Sequence, residues 1–355
     1  MAGNKWFMVS LLAVFLCVGS FLAVCFDQSS LASAPDTDLL PMAVIGPAFD
    51  RMDTVLAQTG SSLGLFQDAV VAQANADKAI SEQLAALAEQ SKNNKNLSDQ
   101  VYEEMIVERL GKAVYTKNGT NSKIQIFKLE KEDLRGYMAK VTLKTDKALR
   151  VTINPSSKPA GETTLEACKR LGGILAINGG GFATAKDENG KTQMLPLGNA
   201  MIEGKLIGDF QPSWNDLAFA GFSKSGKLVG GIYEEEEDLL NSGAWQGVSF
   251  VPELIRNWEP SKIPSKWAKA KQPRTVLGQY PNGDLFFIVV DGRQSNWSSG
   301  ITLEEMQVLL LRLGVMEAFN LDGGGSSAFV YNGKILNKPS DGNLRKLPTN
   351  IVIMP

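Results

Sequence analysis

The chain has 355 residues, with 36 Lys and Arg against 38 Asp and Glu and a formal net charge of −2. A nucleic-acid-binding protein is expected to show a basic bias or a clustered basic stripe, so this balance argues against nucleic acid as a partner. The sequence contains no histidine, which excludes Ser-His-Asp and Cys-His catalysis, HExxH zinc sites and a histidine general base.

The N-terminal segment is hydrophobic. Its uncharged run from Trp6 to Phe26 is long enough to cross a bilayer as a helix. Because Lys5 precedes the run and acidic residues follow it, residues 1–35 are predicted to be a cytoplasmic tip and an uncleaved single-pass signal anchor. The alternative is a cleaved signal peptide, since residues 32–34 resemble an A-x-A cleavage site. Both alternatives predict that the rest of the chain lies outside the cytoplasm.

Residues 36–119 are predicted to form a helical spacer. Between residues 52 and 91, mostly apolar side chains recur at heptad spacing. This pattern predicts a short coiled coil that joins two copies of the chain in a homodimer or, alternatively, an amphipathic helix that lies on the membrane or on the domain. The stretch 91–99, which is rich in Lys and Asn, predicts a break, and a second helix is expected over residues 99–114.

From residue 120 onward the hydrophobic period changes, and residues 120–355 are predicted to form one domain. Short alternating or continuous apolar segments predict strands. They cover residues 124–129, 137–143, 149–153, 174–177, 217–222, 227–232, 274–280 and 285–291. A T-x-x-E capping box at Thr302 and Glu305 predicts a helix that ends at Gly314. Many short strands and few helices predict an α+β fold, with a mixed, largely antiparallel sheet and flanking helices. The acidic run 234–238 is predicted to be a solvated loop.

Three hydrophobic segments end in glycine and a polar side chain. Asn178 precedes three glycines, Asp291 is followed by Gly and Arg293, and Asn320 and Asp322 precede three more glycines. Glycine lets the backbone approach a ligand closely, and successive N–H groups can surround an anion. An Asp at such a place can act as base, nucleophile or metal ligand, and Arg suits bidentate binding of phosphate. The three segments together indicate an anion-binding catalytic site.

The motifs resemble those of the phosphodiester glycosidase family. The resemblance covers about residues 120–353 and is dense from residue 174 onward. The motifs that carry it are residues 177–182 (INGGGF), 273–278 (PRTVLG), 289–293 (VVDGR), 299–305 (SGITLEE), 313–314 (LG), 320–327 (NLDGGGSS) and 337–340 (NKPS), with Arg345 and Asn350. Two places depart from the family pattern: Gly181, where an aromatic residue is more common, and residues 344–346, which read LRK where ERP is usual.

The resemblance implies an enzyme that hydrolyses a sugar-1-phosphodiester at the sugar C–O bond. It would release a sugar, for example N-acetylglucosamine, and a phosphomonoester, from a glycan or glycopolymer of the cell envelope such as an exopolysaccharide. This chemistry suits a chain without histidine. A phosphomonoester leaves as a stable anion with a second pKa near ~6, so binding the anion and stabilising an oxocarbenium ion matter more than acid catalysis.

Resemblance and charge together assign roles to the motif residues. Asp322 and Asp291 are the candidates for base or nucleophile. Arg274 and Arg293 are predicted to bind the phosphate together with the amides of the third glycine run, and the asparagines that precede the glycines are predicted to orient sugar hydroxyls or an amide group. The full predicted substrate-binding set is Asn178, Gly179, Gly180, Arg274, Arg293, Asn320, Gly323, Gly324, Gly325, Ser326 and Arg345.

Two other functions are compatible with these residues. One is a membrane-tethered module that binds an anionic glycan during envelope or exopolysaccharide assembly without turnover; the intact Asp and Arg residues argue against it. The other is a metal-dependent phosphodiesterase that cuts the P–O bond, and the lack of His and of dense Asp clusters argues against a two-metal site. No cofactor is predicted to be required, while a single structural Ca²⁺ held by Asp and backbone oxygens stays open.

Overall fold

The computed structural model describes residues 42–153, 161–186, 188, 190, 192–214 and 216–355. The predicted membrane anchor from Trp6 to Phe26 lies outside these residues and stays a prediction. Among the helices of the described residues, none is long and apolar enough to span a bilayer. The chain divides into two compact units, Met1–Glu89 and Gln90–Pro355.

One long helix, α1, runs from Met42 to Leu110. It is continuous through residues 91–99, so the predicted break there is wrong. That stretch contains neither Gly nor Pro, and Lys and Asn each cost a helix less than about 0.7 kcal/mol relative to Ala. The helix ends where Gly111 adopts a left-handed backbone with a φ of 82° and its N–H donates to the carbonyl of Val107 at 2.9 Å. The predicted second helix is therefore the last part of α1.

The described apolar side chains at the predicted heptad positions of α1 are exposed. Val70, Ile80, Leu84 and Leu87 have relative exposures of 52, 53, 61 and 61%. A helical face of this kind is what a coiled-coil partner covers. The homodimer itself stays a prediction.

The last turns of α1 belong to the second compact unit. Leu110 is buried in a hydrophobic cluster of that unit, and Glu103 forms an ion pair with the buried Lys140. The unit begins at Gln90, whereas the sequence predicted a domain boundary at residue 120. The difference arises because the end of the helix packs on the sheet and so contributes to its core.

The other elements of the described residues are strands and four shorter helices. In chain order the strands are β1 (Tyr115–Asn118), β2 (Ser122–Lys131), β3 (Leu134–Leu143), β4 (Leu149–Ile153), β5 (Leu175–Asn178), β6 (Phe182–Lys186), β7 (Thr192–Pro196), β8 (Met201–Ile202), β9 (Lys205–Leu206), β10 (Ala218–Ser223), β11 (Leu228–Gly231), β12 (Ala244–Phe250), β13 (Glu253–Arg256), β14 (Glu259–Pro260), β15 (Arg274–Gln279), β16 (Leu285–Val290), β17 (Glu317–Leu321), β18 (Phe329–Tyr331), β19 (Lys334–Ile335) and β20 (Thr349–Ile353). The helices after α1 are α2 (Thr164–Leu171), α3 (Glu236–Asn241), α4 (Ser265–Ala268) and α5 (Leu303–Arg312), and Gly324–Ser326 form a 3₁₀ turn.

The described strands form four sheets. An eight-stranded sheet has the order β1-β2-β3-β16-β15-β17-β13-β14, two five-stranded sheets have the orders β11-β10-β12-β8-β9 and β19-β18-β5-β20-β4, and β6 pairs with β7. Every pairing between described strands is antiparallel. The sheet-rich fold with flanking helices is thus confirmed. The predicted mixed, largely antiparallel sheet is, among the described strands, antiparallel throughout and divided into four sheets.

Alternate residues of the eight-stranded sheet face two different hydrophobic clusters. Leu277 of β15 pairs with Phe287 and Phe319, and all three belong to the cluster shared with the five-stranded sheets. Val276 pairs with Ile288, and both belong to the cluster shared with α1 and α5. Because both faces are covered, the central strand β16 is apolar along its whole length.

Two local predictions have different outcomes. The predicted capping box is present, because the hydroxyl of Thr302 accepts from the Glu305 N–H at 3.1 Å and the Glu305 carboxylate accepts from the Thr302 N–H at 3.0 Å. The acidic run 234–238 is only partly a loop, since Glu236 opens α3. Acidic side chains stabilise the positive end of a helix dipole, which explains why the last residues of this run are helical.

The topology brings several predicted site residues to one edge of the eight-stranded sheet. β15 lies between β16 and β17 and runs antiparallel to both, so Arg274, its first residue, lies beside their last residues. Asp291 directly follows β16, and Asp322 directly follows β17. Asn178, at the end of β5 in another sheet, reaches the same place, because its Nδ2 donates to the backbone carbonyl of Asp322 at 2.6 Å.

Candidate active site

A cavity of about 400 Å³ opens at this edge of the sheet. Its lining is basic, aromatic and glycine-rich and consists of Phe250, Val251, Lys266, Trp267, Ala270, Gln272, Arg274, Arg293, Asp322, Gly323, Gly324, Gly325 and Arg345. The structure therefore brings together the predicted phosphate-binding arginines, one of the two candidate carboxylates and the third glycine run.

Arg274 lines the cavity, although only 7% of its surface is exposed. Its Nη2 donates to the carbonyl of Ala270 at 3.0 Å and its Nε donates to the carbonyl of Ile301 at 3.4 Å. Burial, together with the nearby positive charge of Arg293, lowers the pKa of Arg274 to about 10. The guanidinium therefore keeps its charge at neutral pH, in a place where water screens it poorly.

Arg293 supplies a second positive charge to the cavity. Its Nε donates to Oε1 of Gln272 at 2.6 Å, and its backbone is left-handed with a φ of 61°. Non-glycine residues in this conformation cost on the order of 1–3 kcal/mol and cluster at functional sites. Within the described residues, neither Arg293 nor Arg274 forms an ion pair with Asp or Glu. A phosphate would supply the negative charge that these two guanidinium groups lack.

Arg345 is held differently, by an acidic partner. Its Nη2 lies 2.5 Å from Oδ2 of Asp341, and its Nη1 donates to the hydroxyl of Ser326 at 3.3 Å. The pair packs directly on Gly325, where a Cβ would lie 2.0 Å from the Asp341 Oδ2 and 2.2 Å from the Arg345 Nη2. Any side chain at position 325 would therefore displace Arg345.

Two amides of the third glycine run bond within the protein. The N–H of Gly323 donates to Oδ1 of Asp322 at 3.0 Å, and the N–H of Gly324 donates to the carbonyl of Pro273 at 2.9 Å. The prediction that these two amides bind the phosphate is therefore corrected, because each hydrogen already has an acceptor. Gly324 is needed for space instead: its φ is 60°, and a Cβ there would lie 3.1 Å from Nη2 of Arg293.

Asp322 is the only acidic residue among the described residues that line the cavity. Its backbone is fixed on both sides, since its N–H donates to the carbonyl of Gly179 at 3.3 Å and its own carbonyl accepts from Asn178. Burial raises the pKa of the Asp322 carboxyl above its ordinary value, against the opposing effects of Ser326, the Gly323 N–H and the charge of Arg345. A carboxyl group with a raised pKa at the wall of a cavity is a candidate for a general base.

Asp291, the other candidate carboxylate, does not line the cavity. Its oxygens accept from Nε1 of Trp297 at 2.8 Å, from Nδ2 of Asn337 at 3.0 Å and from the N–H of Lys338 at 3.0 Å. Burial nevertheless raises its pKa against these hydrogen bonds. The carboxylate joins the loop after β16 to the segment after β19.

Asn178 is also directed into the protein. Its Oδ1 accepts from the hydroxyl of Thr275 at 2.7 Å and from the N–H of Ala328 at 3.1 Å, while its Nδ2 donates to the carbonyl of Asp322. The residue is 0% exposed. It has no surface for the predicted contact with sugar hydroxyls, and it instead fixes the strand end that carries Asp322.

Three other predicted binding residues support the cavity without lining it. Nδ2 of Asn320 donates at 2.6 Å to the carbonyl of Val251, which is part of the lining. The N–H groups of Gly179 and Gly180 donate to the carbonyl and the hydroxyl of Thr349, at 3.1 and 3.2 Å. A Cβ on Gly179 would lie 2.7 Å from that carbonyl oxygen, so glycine allows the close packing of two chain segments.

The sequence analysis missed the residues that α4 contributes. Lys266 and Trp267 line the cavity, with Nζ of the lysine 5.0 Å from the centroid of the indole ring. Phe250, at the end of β12, adds a second aromatic side chain. A helix of four residues has no hydrophobic period to detect, and the only signal was a Trp within a Lys-rich connection.

No group of three or more His, Cys, Asp or Glu side chains suited to a metal ion occurs in the described part of the chain. The structural Ca²⁺ stays an untested prediction.

A family model described as phosphodiester glycosidase matches residues 172–354, which is more than half of the chain. The chain therefore belongs to the phosphodiester glycosidase family, as the motifs predicted.

Two curated relatives indicate the range of the family. The SPbeta prophage-derived uncharacterized protein YomE of Bacillus subtilis (strain 168) is 32% identical over 239 residues, which cover 61% of this chain and 36% of that protein. The N-acetylglucosamine-1-phosphodiester alpha-N-acetylglucosaminidase of Bos taurus is 32% identical over 208 residues, which cover 54% of this chain and 35% of that protein. The chain thus spans about a third of the length of these relatives.

Solved structures support the fold. The catalytic domain of zebrafish N-acetylglucosamine-1-phosphodiester alpha-N-acetylglucosaminidase, auto-inhibited by its pro-peptide, matches with a TM-score of 0.54 and 23% identity over 69% of this chain and 87% of that chain. A hypothetical protein from Synechocystis matches with a TM-score of 0.51 and 14% identity, over 68% of this chain and 64% of that one.

Proposed function

We propose that the chain hydrolyses a sugar-1-phosphodiester at the bond between the anomeric carbon and the phosphate oxygen. One observation carries the proposal. Arg274 and Arg293 face the cavity without a carboxylate partner among the described residues, next to Asp322 as its only described acidic residue. The name of the bovine relative supports N-acetylglucosamine as the released sugar.

The guanidinium groups of Arg274 and Arg293, which have no carboxylate partner among the described residues, suit the leaving group of this reaction. When the sugar C–O bond breaks, the electron pair goes to the phosphate oxygen, and the phosphomonoester departs with a second negative charge. Arg274 and Arg293 stabilise that charge as it develops. Electrostatic stabilisation of this kind is usually the largest single contribution to the rate enhancement of an enzyme. A strong general acid is therefore not required, in keeping with a cavity whose described lining holds one carboxyl group and with a sequence that has no histidine.

The carboxylate role falls to Asp322. As a base it would remove a proton from the attacking water, and as a nucleophile it would first form a glycosyl ester that water then hydrolyses. Asp291 is less suited to either role, because its oxygens are occupied by three donors and it does not line the cavity. Trp267 and Phe250 supply apolar faces against which a sugar ring can pack.

The location of the substrate follows from the predicted anchor. A single-pass segment over residues 1–35 would hold the domain on the outer side of the membrane. We therefore propose a glycan or glycopolymer of the cell envelope, such as an exopolysaccharide, as the natural substrate.

The proposal is tested by measuring free sugar released from a panel of sugar-1-phosphodiesters, with teichoic-acid-like polymers among them. The full chain is expected to release a reducing sugar from at least one of them, and Asp322→Asn is expected to lower kcat by about 10²-fold or more. The matched control is Asp209→Asn, an exposed position outside the cavity. Binding of the polymers without any release would favour the non-catalytic binding module instead.

A further inference from the structure

A second pocket of about 390 Å³ is lined by chain segments that continue into the lining of the active-site cavity. We call it the Trp297 pocket. Two chain segments contribute to both sites. In the first, Arg293 lines the cavity and Gln294 lines the pocket. In the second, Ser340 lines the pocket and Arg345 lines the cavity. Arg293 and Gln294 are consecutive residues, whose Cα atoms are about 3.8 Å apart, so the two sites meet at this point of the chain within the length of a ligand of more than one sugar unit.

The wall of the Trp297 pocket is fixed by hydrogen bonds. Nε1 of Trp297 and the N–H of Lys338 both donate to Asp291. Nε2 of Gln294 donates to the carbonyl of Lys338 at 3.0 Å, and the N–H of Trp297 donates to the carbonyl of Gln294 at 3.0 Å. The indole is held in one orientation while 40% of Trp297 stays exposed.

Two cations lie over this indole ring. Nζ of Lys338 is 5.4 Å and Cζ of Arg135 is 5.9 Å from the ring centroid. Neither cation forms an ion pair with an Asp or Glu of the described chain. Of the two, only Lys338 belongs to the lining of the pocket, and the described lining contains no acidic residue. Burial raises the pKa of Asp291, the carboxylate that accepts from the indole N–H, and the charge of Lys338 opposes that increase. Asp341, the nearest acid in sequence, is paired with Arg345.

This combination points to a charged sugar unit as the ligand. The exposed part of the indole can contact the apolar face of a sugar ring, and a lysine without a carboxylate ion-pair partner can bind phosphate. Phosphate is favoured over other anions because the proposed function places the same group in the active-site cavity, beside Arg274 and Arg293.

We propose that the Trp297 pocket binds the next phosphate-bearing sugar unit of the substrate, so that the preferred substrate is a chain of sugar phosphates rather than a single phosphodiester. This inference rests on the proposed function, because the first phosphate must bind to Arg274 and Arg293 in the active-site cavity. It assigns the buried Asp291 a part in fixing Trp297 and the backbone of Lys338.

The test compares two substrates of the same sugar with the full chain. One is a methyl diester of the sugar-1-phosphate, with one phosphate, and the other is an oligomer with two. The wild-type chain is expected to show a kcat/KM about fivefold or more higher for the oligomer, through a lower KM, as one additional charge pair can provide. Lys338→Met is expected to lose most of that preference, with unchanged turnover of the methyl diester.

Lys334→Met is the matched control, since Lys334 is an exposed lysine of β19 outside both pockets. It is expected to leave both substrates unaffected. The preference of the wild-type chain should also weaken as the salt concentration rises, because exposed charges are screened. Equal kcat/KM for the two substrates, or equal losses on both in Lys338→Met, would overturn the inference.

A binding measurement separates this inference from the proposed function. If neither substrate releases sugar, the proposed function fails. Calorimetric titration of the oligomer into the chain then tests oligomer binding at the Trp297 pocket independently of turnover. Weaker binding of the oligomer to Lys338→Met than to Lys334→Met supports the Trp297 pocket as a phosphate-sugar site. Equal binding to the two variants overturns it.

Discussion

Asn178, the last residue of β5, and Asp322, which directly follows β17 of another sheet, are joined by a hydrogen bond of 2.6 Å from the asparagine Nδ2 to the aspartate backbone carbonyl. The bond fixes the end of β17 against the end of β5. It places the only acidic residue of the described cavity lining on two rigid elements rather than on a free loop, which is how precise catalytic geometry is usually supported.

Removing this bond should affect turnover more than binding. Asn178→Ala is expected to lower kcat by roughly 10–10²-fold with a smaller change in KM. A catalytic carboxylate misplaced by about 1 Å loses most of its contribution to the rate, whereas the two arginines that bind the phosphate are retained. Steady-state kinetics on the purified chain measures both constants. Asn343→Ala, at an exposed loop position, is the control, and an equal fall of kcat in that variant would contradict the assignment.

The pH dependence of kcat/KM should report Asp322. Burial raises its pKa above the ordinary value, and a base or nucleophile works only when ionised. Activity is therefore expected to be lost as the pH falls through this raised pKa. The charge of Arg345 opposes the raising, so Arg345→Met should shift the acidic limb of the profile to higher pH. A limb that stays in place in Arg345→Met would show that another group sets it.

Lys140 should be a major contributor to stability. It is 1% exposed and is paired with Glu103 of α1 and with Asp284, whose Oδ2 lies 2.5 Å from Nζ. Lys140→Met leaves the buried Asp284 carboxylate without its partner, which is expected to reduce the free energy of unfolding by about 3–5 kcal/mol. Urea unfolding measures this. Lys128→Met, which removes an exposed ion pair, should cost at most about 1 kcal/mol.

The predicted coiled coil is tested on α1. If its heptad face joins two copies, Leu84→Glu is expected to convert a dimer to a monomer in analytical ultracentrifugation, because a charge at a core position of a coiled coil is not tolerated. Leu65 is also exposed, at 70% against 61% for Leu84, but lies outside the heptad positions. Leu65→Glu should therefore leave the dimer intact, and a wild-type chain that sediments as a monomer would refute the prediction.

Sequence periodicity was sufficient for most of the sheet and for the edge where the site lies. Alternation around Ile124 and Ile126 predicted β2, and strand ends rich in glycine located Asp291 and Asp322. The different environments of these two carboxylates could not be predicted, because both follow a buried strand and only the packing of Trp297 shows which one is enclosed. The glycines were interpreted as ligand-binding turns, whereas most of them provide space for close packing of arginines or backbone.

The bond that breaks is the central claim, and hydrolysis in ¹⁸O-labelled water tests it most directly. Attack of water at the anomeric carbon should place the label on the released sugar and none on the phosphomonoester, because the phosphate keeps all of its own oxygens. Mass spectrometry of both products measures this. Label on the sugar alone is the predicted result, and label on the phosphate would contradict the glycosidase assignment and favour a phosphodiesterase.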